Sequence, residues 1–158
     1  PAIRFGGNTI FGRFPVWLPD GEIAYSGCDY GFGSGANCGL WLTTSSGGQP
    51  RRLTTDASDR AADGFGDSVV FMSTRDGNWE VYRVRLDGSG LTRLTNSPAN
   101  DGLPTWSPDG SAIAFLSDRD GQWAIWAMKP DGSGQQKLFN LNGAPGANWT
   151  EERVSWGP

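Results

Sequence analysis

The 158-residue chain contains no histidine. That one absence excludes Ser-His-Asp and Cys-His catalytic arrangements, imidazole acid–base chemistry and the usual zinc sites. Cysteine is nearly missing too: Cys28 and Cys38 are the only two, and both fall in one glycine-rich stretch, SGCDYGFGSGANCGLW. Charged residues make up only 19%, with 17 acidic against 13 basic, so the net charge is -4. A nucleic-acid binder needs a basic footprint, and this chain has none. No apolar run approaches the ~18 residues that span a bilayer, which excludes membrane insertion by a helix. No basic start followed by an apolar stretch reads as a signal peptide. The chain opens at Pro1 rather than methionine, which reads as a processed or trimmed product.

What is abundant is glycine, at 24 residues, and tryptophan, at eight. The aromatics argue against disorder, and the glycines favour a turn-rich β-protein over a helical bundle. The length suits a single domain with a sizeable core.

The sequence repeats itself. VVFMSTRDGNWEVYRVRLDGSGLTRLT (69–95) lies over IAFLSDRDGQWAIWAMKPDGSGQQKLF (113–139) without a gap, matching Asp76 with Asp120 and Trp79 with Trp123. A looser copy, VWLPDGEIAYSG followed by LWLTTSSGGQPRRLT, precedes them. Each copy reads as four short strands, a to d. Strand a ends at Trp17 or Trp106 before a Pro-Asp-Gly turn, and strand b alternates apolar and small residues, as a half-buried strand does. An Asp-Gly hairpin turn leads to strand c, and a second tight turn, Asp-Gly-Ser-Gly, leads to strand d. Four-stranded meanders every ~40 to 45 residues mark β-propeller blades.

PTWSPDGSAIAFLSDRDGQWAIWAMKPDGSGQQKL resembles the repeat of the TolB-type propellers, also called PD40 or WD40-like repeats. The third copy matches throughout. The second departs by reading RAADGFGDSVVF where Trp-Ser-Pro-Asp-Gly is expected, and the first departs by its cysteine loop. The resemblance implies an all-β propeller but says little of function, because such folds host binding, docking and enzyme-accessory roles alike.

Divided by the repeat, the chain reads as one propeller domain over 1–158. It has a closure strand over 1–15, blades over 16–55, 56–97 and 98–140, and the first strand of an incomplete fourth blade over 141–158. In the better-fitting register, Arg4 and Phe5 belong to an outer strand d. A competing register joins the two chain ends as a split strand a and a strand b. Three whole blades plus terminal scraps read either as a minimal closed ring or as an arc completed by a second copy through its terminal strands.

Aligned on the third blade, Cys38 takes the place of Trp79 and Trp123, and Cys28 that of Asp118. The cysteines then stand at the two feet of an enlarged b–c loop on neighbouring strands, where a disulfide fits. The other readings are free thiols, or metal ligands with nothing to complete the set. A disulfide implies an oxidising compartment: periplasm, cell surface or secreted.

Candidate ligand contacts are Asp29, Tyr30 and Phe32 at the tip of the clamped loop, and Trp149, which lies outside the repeat. Tyr30 and Phe32 have a second reading, as plugs folded back on the blade. Trp17, Trp106, Trp156, Trp79 and Trp123 read as inter-blade packing, and Asp76 and Asp120 as turn residues. Asp56, Asp59, Asp63, Asp67, Asp118 and Asp120 lack the full ligand loop that calcium wants and read as turn residues too. No cofactor or metal is expected. The favoured function is a non-catalytic module that binds a protein or glycan. The alternative is an enzyme or accessory propeller, using pairs such as Glu151 and Glu152 near Asp56 or Asp59 on a carbohydrate or peptide.

Overall fold

Alternating apolar residues and paired glycine turns build three antiparallel sheets side by side. A computed structural model describes residues 3–5, 8–29, 37–46 and 48–156. The first sheet orders β1 (Ile3–Phe5), β2 (Asn8–Trp17), β3 (Glu22–Asp29), β4 (Asn37–Thr44) and β5 (Arg51–Arg52). The second holds β6 (Arg60–Phe65), β7 (Ser68–Ser73), β8 (Glu80–Arg85) and β9 (Thr92–Arg93). The third holds β10 (Asp101–Trp106), β11 (Ile113–Ser117), β12 (Ala124–Met128) and β13 (Gln136–Asn140). Strands β2, β6 and β10 are the strands a of the three blades, and the meander order is the one the repeat predicts.

The core lies between blades rather than within one. Side chains of successive residues leave a strand on opposite faces. Val69 and Phe71 therefore join Tyr82 and Val84 against Ala24, Leu40, Leu42 and Leu53 of blade 1. Val70, on the other face, packs with Val81 and Leu94 against Ile113, Phe115 and Met128 of blade 3. A half-buried strand was the expectation for strand b. Instead β7 and β11 are buried almost throughout, because each blade has a neighbour, or the chain's own tail, on both sides.

The tight turns join blades as well as strands. In the Asp-Gly-Ser-Gly turn of blade 3, Gly132 has a φ of +84°, and a Cβ there would lie 2.7 Å from the Leu94 carbonyl oxygen of blade 2. Glycine is required on both counts. Arg83 of blade 2 donates to the carbonyl of Pro130 at 2.9 Å, and Arg51 of blade 1, from a different strand, to that of Leu86 at 2.6 Å, the equivalent acceptor one blade earlier.

Each inner strand carries a β-bulge, between Arg13 and Val16, Arg60 and Asp63, and Gly102 and Thr105. Phe14 (φ 55°) and Leu103 (φ 49°) hold the left-handed conformation at two of them. Blade 2 lacks Trp-Ser-Pro here, and Asp63 takes a different part. Its carboxylate accepts hydrogen bonds from Thr105 Oγ1 at 2.9 Å and the Trp106 N–H at 2.7 Å, tying β6 to β10.

Both chain ends differ from the better-fitting register. β1 pairs with the inner strand β2, with Ile3 opposite Ile10, so it is not an outer strand d. Beyond β13 the described residues contain no strand, only a short 3-10 turn at Trp149–Glu151. That segment instead lays Leu141, Trp149 and Val154 over Ala114, Leu116 and Ile125, on the face of blade 3 where another blade would stack. The ends do meet. Arg153 donates to the Pro15 carbonyl at 2.6 Å, and Arg13 pairs with Glu151 at 2.9 Å.

Candidate functional site

At the end of the arc where strands b and c join, blades 2 and 3 are closed by the same clasp. Asp59 opens the inner side of blade 2 and accepts two hydrogen bonds from Arg75, at 2.6 and 2.7 Å. Asp101 stands in the same place in blade 3 and accepts one hydrogen bond from Arg119, at 2.5 Å. Each guanidinium also lies over two rings of its blade, Phe71 and Tyr82 or Phe115 and Trp126. Both carboxylates are buried. Burial pushes the Asp101 carboxyl above its ordinary range, against the opposing pull of Ser117 and Arg119.

Among the described residues, blade 1 has no such clasp. Gly12 stands where Asp59 and Asp101 stand, and a Cβ there would come within 2.8 Å of the Tyr25 ring. In its place Cys28 and Cys38, directly opposite each other on β3 and β4, form a disulfide with their Cα atoms 4.0 Å apart. A covalent clasp substitutes for an ionic one.

Beside the disulfide opens a cleft of about 820 Å³, walled by Arg13, Phe14, Cys28, Ala57, Asp59 and Arg60 among others. Arg13 and Arg60 occupy the same repeat position on neighbouring inner strands, just before the bulge. The third such position is Gly102, and the ring of Trp149 fills the space a side chain would take there, 2.8 Å from an ideal Cβ. The Arg60 guanidinium lies 4.9 Å from the Trp79 ring centre. Trp149 in turn meets Trp79 edge-on at 6.2 Å and Trp123 at 5.0 Å. Burial, then the neighbouring positive charge of Arg13, lowers the Arg60 pKa, while Glu151 works the other way. The end therefore presents two guanidiniums on one rim, that of Arg60 over an indole ring, in a protein of net negative charge.

The residues singled out in the sequence are distributed unevenly. Tyr30 and Phe32 lie outside the described residues. Asp29 ends β3 opposite Asn37, at the mouth of the enlarged hairpin. Trp149, expected as a surface contact, is half-buried among Trp79, Trp123 and Met72. Among the tryptophans read as packing residues, Trp106 is 8% exposed against Phe65, whereas Trp17 is 65% exposed because no described blade precedes it. Trp156 is partly exposed and donates to the Thr105 carbonyl at 3.3 Å. Asp76 accepts from Tyr82 Oη at 2.7 Å, and Asp120 pairs with Lys137 at 2.9 Å.

Three of the four carboxylates raised as acid–base partners are engaged elsewhere: Glu151 with Arg13, Asp59 with Arg75 and Thr54, Asp56 with Ser58. Among the described residues, no group of three or more acidic or cysteine side chains is placed to hold a metal ion. Reading the sequence for motifs missed Arg13 and Arg60. Aligning the three inner strands on their bulges would have found them, since they share one column.

Comparison with known proteins agrees with this architecture. The TolB protein of Acinetobacter baumannii superposes with a TM-score of 0.68 at 26% identity, over 85% of this chain and 33% of that one. An oligogalacturonate lyase in complex with manganese shares the fold at a TM-score of 0.63 and 14% identity, over 86% of this chain and 43% of that one. In sequence, the Tol-Pal system protein TolB of Geobacter sulfurreducens is 35% identical over 71 residues, 44% of this chain and 16% of that protein. An uncharacterized protein of Agrobacterium fabrum is 34% identical over 101 residues, 60% of this chain and 32% of its own length. The chain thus spans a third or less of these sequence relatives. The model of the TolB beta propeller domain (PD40) matches residues 61–153, most of blades 2 and 3 together with the tail that crosses them, and the chain belongs to that family.

Proposed function

We propose that the chain is a non-catalytic binding and scaffold module that engages a protein partner, or a glycan, at the end of the arc where the b–c hairpins meet the inner strands. The observation that carries this reading is the cleft beside the Cys28–Cys38 disulfide. It is rimmed by cationic and aromatic side chains, while the nearby carboxylates are committed to clasps and turns, which favours holding a ligand over transforming one. Structural neighbours named as a lyase, a peptidase and a puromycin hydrolase share the fold at 22% identity or less, so they bear on architecture alone. The disulfide favours work in an oxidising compartment, outside the cytoplasm.

Completion by a second copy is a further part of the proposal. Leu138 and Phe139 on the last strand are 44% and 57% exposed, and Trp17 at the other extreme is 65% exposed. Their equivalents inside the arc, Leu94, Thr95 and Trp106, are buried. Light scattering that reports only monomer at all concentrations counts against it.

The binding role is tested by offering the immobilised chain to a peptide array and a glycan array, beside a screen of hydrolase and lyase substrates. Retention of a ligand without turnover is expected. Turnover that disappears on changing a cleft residue overturns the reading.

A further inference from the structure

Of the five half-buried arginines among the described residues, three reach buried carboxylates and a fourth, Arg83, donates to the Pro130 carbonyl at 2.9 Å, while the one in the cleft has no comparable partner. Arg75, Arg93 and Arg119 each reach a fully buried carboxylate: Asp59 at 2.6 Å, Glu80 at 2.7 Å and Asp101 at 2.5 Å. Arg60 is also partly buried, yet among the described residues it has no carboxylate within ion-pair distance. Its one described hydrogen bond goes to the Ser58 carbonyl at 3.3 Å. Asp59, next in sequence and in the same cleft wall, is already taken by Arg75 and Thr54.

Arg13 stands beside it from the neighbouring strand, with its side chain 71% exposed and, among the described residues, only the half-exposed Glu151 as ionic partner. Two like charges held close at one rim are unfavourable unless an anion lies between them. Partial burial makes the imbalance costlier, since a buried charge wants a partner.

We infer that Arg13 and Arg60 form a two-point carboxylate site, and that the cleft takes an acidic segment of a partner polypeptide. The class of ligand follows from what already touches the site. Glu151 reaches Arg13 from a stretch of ordinary polypeptide that crosses the inner strands, with Arg153 and Trp156 donating to backbone carbonyls of β2 and β10. The chain's own tail thus shows one way an acidic peptide engages this rim, and it reaches one of the two guanidiniums. A bidentate guanidinium–carboxylate contact is the natural completion at Arg60, whose flat face is held against Trp79. Glu151 on this view is an internal competitor for Arg13.

This inference rests on the binding role proposed above and adds the chemistry of the partner. Fluorescence anisotropy with the full chain tests it, using fluorescein-labelled hexaglutamate as probe and labelled hexaglutamine as control. The expected result is saturable binding of hexaglutamate alone, weakening as salt rises. Arg60→Gln should weaken it at least about tenfold, as truncating one partner of a close charge pair does. Arg13→Gln, on an exposed side chain that folding does not need, should weaken it by several-fold. Glu151→Gln should strengthen it.

Equal binding of the two peptides, or of hexaglutamate to wild type and both arginine variants, overturns the proposal. So does hexagalacturonate binding in an Arg60-dependent way where hexaglutamate does not, since the site then reads uronates. Circular dichroism melts confirm that Arg60→Gln folds, and should it fail to, the Arg13→Gln and Glu151→Gln results decide. Ligands from the arrays that bind all variants alike would sink this inference and leave the binding role standing.

Discussion

Trp106 and Trp17 fill the same place in the repeat, and replacing each by alanine should give very different results. Trp106 is 8% exposed, with its ring 5.8 Å from that of Phe65 across the blade 2–blade 3 junction. Truncating it returns on the order of 180 Å² of apolar contact to solvent or cavity, about 4 kcal/mol at ~25 cal/mol per Å². A compact unfolded state trims that sum by about a quarter. The indole Nε1 is buried without a partner among the described residues, and its removal relieves about 1 kcal/mol. Emptying a large aromatic site adds a cavity cost that works the other way. The balance is a loss of about 3 kcal/mol for Trp106→Ala. Trp17 is 65% exposed, and the same arithmetic leaves about 1 kcal/mol. Urea unfolding followed by near-ultraviolet circular dichroism reads both. Equal losses, or a loss below about 1 kcal/mol for Trp106→Ala, would refute the stacking of blade 3 on blade 2.

The disulfide closes a loop with a sequence separation of 10, so Cys28→Ser/Cys38→Ser should lose about 3 kcal/mol in urea, and a variant midpoint equal to that of the oxidised wild type would contradict its part as a clasp. Arg119→Ala leaves Asp101 buried and unpaired and should cost about 3 kcal/mol, partly restored by adding Asp101→Ala; no restoration in the double-mutant cycle would mean the two act independently. Four turn carboxylates lie below their ordinary range because serines donate to them: Ser58 to Asp56, Ser89 to Asp87, Ser107 and Ser111 to Asp109, which falls to about 2, and Ser133 to Asp131. Their folded values are depressed, so their contribution is complete above about pH 4 and is lost as pH falls through the folded values. Buried Asp101, shifted upward, runs in the opposite sense and does not reinforce that loss. Urea midpoints should fall from pH 4 to pH 2, less steeply in Ser111→Ala/Ser133→Ala, and a slope identical in wild type and variant would remove the turns as the cause.

Blade register was legible because the repeat carries its own punctuation. Asp-Gly turns, a tryptophan column and period-2 apolar runs each depend on a few neighbours in sequence, and they place Cys28 opposite Cys38 by spacing alone. The ionic clasps were not legible. Asp59 and Arg75 lie 16 residues apart, one just before β6 and the other just after β7, and nothing local distinguishes that aspartate from the turn carboxylates around it. Strand b read as half-buried for a similar reason, since alternation reports one face and the second depends on which blade or tail lies beyond it.

The ends of the chain divide the two kinds of information most sharply. From sequence alone came the all-β class, the four-strand blade, the three copies, the exclusion of histidine chemistry and the cysteine pair, all set by residue type and spacing. Tertiary structure decided that β1 folds onto the inner strand β2, that residues 141–156 cross the inner strands in place of a blade, and that Trp149 turns inward. It also decided that Arg13 and Arg60, in sequence 47 positions apart, share one rim. Hydrogen bonding between near neighbours writes a pattern into the chain. Which unpaired strand edge or unbalanced charge meets which depends on how the blades stack, and that is settled only when buried surface and backbone pairing are satisfied together across the whole arc.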